Sequence, residues 1–118
     1  MSVFSSQDYV KLLLTTPSRT QAIALLDTAT DNQISSLSDI AKNLLLLPLS
    51  PRAKRVVEKR KGLLKKISNY SLSYRQRGSL LSKHYRLVLE VLSAVKHSLL
   101  KLLKDRNEKG GADFFQQI

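Results

Sequence analysis

The residue types that usually carry catalysis are scarce in this sequence. Cysteine is absent, which removes disulfides, thiolate metal ligands and cysteine nucleophiles. The two histidines, His84 and His97, form no ligand set with carboxylates at metal-binding spacing. The nine acidic residues are not paired at a spacing that suggests glycosidase or nuclease work. The four glycines, Gly62, Gly78, Gly110 and Gly111, build no phosphate-cradling loop. No enzyme, metal or cofactor is therefore expected.

Lysine and arginine are the strong signal. Twenty of them stand against nine acids, a formal net charge of +11. The excess is not spread evenly. Residues 1–51 and 107–118 are each slightly acidic, and the whole surplus falls in 52–106. Its peak runs from Arg52 to Lys66, where Glu58 is the single acid. Like charges at this density repel, so a partner of opposite sign is expected. Phosphates suit such a cluster, because each one neutralised releases condensed counterions. The expected contacts are Arg52, Lys54, Arg55, Lys59, Lys61, Lys65 and Lys66, then Arg75, Arg77, Lys83 and Arg86 downstream. Lysine outnumbers the Asn and Gln that read base edges here, so contact with the nucleic-acid backbone, duplex DNA first, is expected. An anionic membrane surface, an acidic protein, or plain solvation of a charged face are the competing readings. Tyr70, Tyr74 and Tyr85 read as core or edge aromatics rather than stacking platforms. Lys54-Arg55 and Glu58-Lys-Arg-Lys61 also fit a nuclear import pattern.

The elements that must position these cations read as helices. Ser5 caps a first helix, with Phe4 stapled to Tyr9, that ends before Pro17. Ser18 with Gln21 opens a second, striped by Ala22, Leu25, Leu26 and Ala29. Thr30 with Gln33 opens a third, with Ile34, Leu37, Ala41, Leu44 and Leu45 inward, which Pro48 ends. Asn43, beside that stripe, is either exposed or bonded to the backbone of the following turn. Ser50 and Pro51 suit the cap and first residue of a fourth helix, expected from Pro51 to Ile67. Ala53, Val56, Val57, Leu64 and Ile67 form its inner face. Arg60, at the edge of that face, is expected to snorkel or pair internally. Gly62 in mid-helix suggests close approach of a neighbour.

Ser73 with Gln76 starts a short helical turn that Gly78 closes, and a long helix is expected from Ser79 to Arg106. There Leu81, Tyr85, Val88, Leu92, Val95, Leu99 and Leu102 form a heptad seam, widened by Leu89, Val91 and Leu103. The widening favours the buried central helix of a bundle over a free coiled coil. The fold class is thus all-α: a compact bundle of five or six helices with a long C-terminal helix. It forms one domain over 1–111, with 112–118 a loose tail. That tail's Phe114, Phe115 and Ile118 would dock on the bundle or on another protein. No secretory signal opens the chain, Ser2 stands where N-myristoylation needs Gly, and the longest apolar run, Leu44 to Leu49, is interrupted by Pro48. A spanning helix needs about 20 apolar residues, so a protein that is neither secreted nor membrane-inserted is expected.

The stretch Asp31-Asn-Gln-Ile-Ser-Ser-Leu-Ser-Asp-Ile-Ala-Lys-Asn-Leu-Leu-Leu-Leu-Pro-Leu-Ser50, then a Lys/Arg-rich helix and Ser73-Tyr-Arg-Gln-Arg77 form a pattern. It resembles a small basic protein encoded by Polinton/Maverick-type elements and adintoviruses, over residues 19–83. The resemblance implies a protein of a virus-like element, acting with its DNA genome, in the virion core or in regulation. It places the chain in the host nucleus or the virion, with viral or capsid proteins as neighbours. It brings no catalytic residues. That family often continues into a Gly-Gly-rich apolar end, where this chain has its heptad helix. Lys109-Gly-Gly-Ala112 is similar to part of a diglycine site for an adenovirus-type protease, but Glu108 occupies the place of an apolar residue, which speaks against processing.

Two further readings come from the last helix. One is a protein-interaction or assembly module, a homodimer through the Leu92–Leu102 surface. The other is an amphipathic helix released onto a membrane, which the wide apolar face of 85–103 permits.

Overall fold

The computed structural model describes residues 6–109, with side chains over 7–103. The described chain is all helical. Its elements are α1 (Ser6–Thr15), α2 (Arg19–Asp27), α3 (Asp31–Leu44), α4 (Pro51–Lys59), α5 (Lys61–Ile67), α6 (Tyr74–Lys83) and α7 (Tyr85–Lys109). The caps at Ser5 and the staple at Phe4 lie outside the described residues, as does the 112–118 tail.

Local chemistry sets the helix starts. The Ser18 hydroxyl accepts from the Gln21 N–H at 3.1 Å and begins α2. The Gln21 side chain does not reach back to the cap; it accepts from Thr16 Oγ1 at 2.6 Å. Thr30 with Gln33, and Ser73 with Gln76, each complete both bonds of a capping box. Ser50 caps α4, with Pro51 as its first residue. Helix α3 stops at Leu44, ahead of Pro48, where the Asn43 carbonyl accepts from the N–H groups of both Leu46 and Leu47. The Asn43 side chain forms no bond to the turn; its Nδ2 is buried without a partner.

One core gathers the apolar stripes. Val10, Leu26, Leu81, Val91, Val95 and Leu99 are its most deeply buried side chains. Helix α7 runs through the middle and packs on α1, α2, α4 and α6. Its seam residues Val88, Leu92, Val95 and Leu99 are buried within the chain. This bears out the bundle over the free coiled coil. It also removes Leu92, Val95 and Leu99 from any surface that a second copy or a membrane could reach without unpacking the core. Among the described residues no helix is long and apolar enough to cross a membrane.

The bundle is divided more finely than five or six helices. The expected helix over 51–67 is interrupted at Arg60, whose backbone (φ −103°, ψ 16°) ends α4 and leads straight into α5. Gly62, a weak helix former, follows two residues after the break. A Cβ on Gly62 would meet nothing within 4 Å, so no neighbouring helix explains it. The second interruption is at His84 (φ −108°, ψ 32°). Its N–H bonds Leu80, and its carbonyl accepts from Leu87 and Val88, so the chain turns a corner without a loop. Helix α6 therefore runs through Gly78 to Lys83, and the last helix spans Tyr85–Lys109 rather than Ser79 to Arg106. Gly78 is the close-approach glycine: a Cβ there would lie 3.1 Å from Ile34 Cδ1 of α3.

Candidate nucleic-acid interface

Two short amphipathic helices build the basic face. Ala53 and Val57 are buried on α4, and Leu64 and Ile67 on α5. With those positions inward, the 3.6-residue repeat turns Arg52, Lys54, Arg55 and Lys59 outward on α4. It does the same for Lys61, Lys65 and Lys66 on α5, and all seven are exposed. None of the seven forms a salt bridge among the described residues. Glu58 is the one acid on either helix.

Arg60 is different. Its Nε donates to Glu90 Oε1 of α7 at 2.7 Å, and its side chain is partly covered. The expected internal pairing of Arg60 is therefore present. The Arg60 bond and charge, with Lys59 nearby, hold the Glu90 carboxyl below its ordinary value. This pair ties the joint between α4 and α5 to the central helix.

Arg77 corrects the expectation for it. It is 4% exposed and cannot lie against a phosphate. Its Nη1 donates to Ser38 Oγ at 2.8 Å, and its Nε to the Leu72 carbonyl at 3.2 Å. Its guanidinium carbon lies 4.8 Å from the Tyr74 ring centre and 5.3 Å from that of Tyr70. Cation–π contact replaces part of the hydration that burial removes. Tyr70 and Tyr74 are themselves exposed rather than core residues.

No family model, curated protein or solved structure matches this chain. Arg75 and Lys83 are exposed on α6, which packs on α5. Arg86 is exposed at the start of α7, where its Nε donates to the Tyr85 hydroxyl at 3.4 Å. Arg19 of α2 joins it, with its guanidinium 6.0 Å from the Tyr85 ring centre. The Arg86 hydrogen bond and charge, then the Arg19 charge, lower the Tyr85 phenol from its usual value. Sequence reasoning passed over Arg19 because it stands in the slightly acidic first half. Only the packing of α2 on α7 brings it to Arg86. Ten of the eleven expected contacts are thus exposed. Seven of them lie on the outer sides of α4 and α5, two helices that meet at Arg60, while Arg86 belongs to a separate pair with Arg19.

Proposed function

We propose that this chain is a non-enzymatic protein that binds the phosphate backbone of nucleic acid, duplex DNA first, through the exposed face of α4 and α5. One observation carries the reading: seven exposed cations on two consecutive helices, none of them in a salt bridge among the described residues. Neighbouring like charges on a helix face weaken it, so folding gives no reason to assemble them. A polyanion does. Helices of nine and seven residues are about 13 and 10 Å long. Duplex DNA presents a charge about every 1.7 Å along its axis, so several phosphates fall within reach. The resemblance of residues 19–83 to a Polinton and adintovirus protein supports a role with the genome of a virus-like element, in packaging, the core or regulation.

The test is an anisotropy titration of the full chain with random-sequence duplex at several salt concentrations. Five to seven phosphate contacts give a log–log salt slope of about −4.5 to −6.3. No binding at low salt, or a slope near zero, overturns the proposal.

A further inference from the structure

Tyr70 and Tyr74 are 49% and 41% exposed, although the fold has a core that takes up rings such as Tyr9. They are held from within. The buried Arg77 backs both rings and is itself fixed by Ser38 and the Leu72 carbonyl. The Tyr70 hydroxyl donates to Asp39, and Lys42 Nζ lies 5.7 Å from its ring centre. Two outward-facing rings are thus anchored through α3 and α6. Among the described residues Tyr70 contacts two cations and Tyr74 only Arg77, so Tyr74 has the freer ring.

Their place in the chain matters. Tyr70 follows the last turn of α5, which carries the exposed Lys65 and Lys66. Tyr74 is the first residue of α6, followed by the exposed Arg75. In chain order the aromatic pair therefore lies between exposed cations, Lys65 and Lys66 before it and Arg75 after it. Exposed rings beside a cationic groove are the physical recipe for stacking bases, and every base has a face to offer. A base inside a duplex does not, because its neighbours cover it.

We propose that Tyr74, with Tyr70 beside it, is a stacking platform for an unpaired base, so that the nucleic acid bound by the basic face carries a single-stranded segment. This rests on the backbone-binding reading above and adds the strand state of the ligand. It adds a role to tyrosines that the sequence reads as core or edge aromatics. The cations hold the phosphates, the platform takes a base, and no base identity is read.

The experiment compares a blunt duplex with the same duplex carrying a short single-stranded overhang, both titrated against the full chain. The overhang should tighten binding about ten-fold, the scale of one base stacked on an aromatic ring. Tyr74→Ala and Tyr74→Leu should lose that gain, Tyr74→Phe should keep it, and all should bind the blunt duplex like the wild type. A 2-aminopurine in the overhang should be quenched on binding to the wild type, a readout that needs no variant. Equal affinity for the two DNAs with no quenching overturns the platform and leaves the backbone reading standing. Retention of the gain by Tyr74→Leu also overturns it, because the ring is then only a cover for Arg77. Failure of both DNAs to bind at low salt overturns both proposals.

Discussion

The Arg77 guanidinium donates to the Ser38 hydroxyl at 2.8 Å, joining residues thirty-nine positions apart. Ser38 is fully buried, and the bond lies between α3 and α6. It explains why one cation of a basic segment was withdrawn from solvent. Arg77→Met removes this bond and the one to Leu72, and strands the Ser38 hydroxyl. A loss of about 2–4 kcal/mol is expected, read as a lower urea midpoint. Arg75→Met, two residues away and exposed, should stay within about 0.5 kcal/mol of the wild type. Equal effects of the two changes would contradict the structural role of Arg77.

Charge reversal separates binding from folding. Replacing Lys59, Lys61, Lys65 and Lys66 together by Glu leaves the buried Ala53, Val57, Leu64 and Ile67 in place. Helical circular dichroism should therefore persist while duplex binding disappears. A single Lys65→Ala should lower the magnitude of the salt slope by about 0.9. Full binding by the four-fold variant would exclude α4 and α5 as the contact surface.

Acid should loosen the Arg60–Glu90 link. Glu90 is exposed, and its carboxyl lies below the ordinary 4.5 because Arg60 bonds and attracts its charged form. A depressed carboxyl stabilises the fold above its unfolded pKa, and that contribution fades as pH falls through the folded one. The window therefore opens below about pH 4.5. Glu90→Gln should flatten this part of the profile of urea midpoint against pH, and leave it unchanged near neutrality apart from a constant offset. A profile of the same shape in both proteins would deny the pair any part in acid sensitivity.

The two central glycines should respond unequally to alanine. Gly62→Ala meets open space and should stabilise by roughly 0.5–1 kcal/mol. Gly78→Ala brings a methyl to 3.1 Å from Ile34 Cδ1, inside the core. It should gain less than Gly62→Ala or lose stability outright. Ile34→Val deletes that carbon atom, so in its background the alanine should recover its benefit. Strict additivity of the two changes would show that the contact does not matter.

Much of the scaffold was legible in the chain, for local reasons. The caps at Ser18, Thr30, Ser50 and Ser73 each use bonds within three residues, and the apolar stripes follow one period. Arg60 declared itself by its position at the edge of a stripe. The breaks at Arg60 and His84 were hidden because apolar spacing continues across a one-residue corner, as from Leu81 to Tyr85. The burial of Arg77 was hidden for a different reason. This cation is withdrawn from water because a hydroxyl, a carbonyl and two rings converge on it, and Ser38 joins that set from a helix far away in sequence. The seven cations of α4 and α5 were readable as outward-facing because their helices are strongly two-sided. The exposure of Tyr70 and Tyr74 was not, since it depends on that same convergence.

The capping boxes at Thr30 and Ser73 fix the first turn of the two helices that Arg77 and Ser38 connect. An extra residue inserted between Thr30 and Ser38 would rotate the serine by about 100° and lift it about 1.5 Å, out of reach of the guanidinium. The same insertion among Leu46, Leu47 and Pro48 falls in a connection and would be absorbed there. Length variation is thus tolerated between α3 and α4 and forbidden a few residues earlier, a pattern of permitted and lethal indels that a scanning-insertion library would reveal.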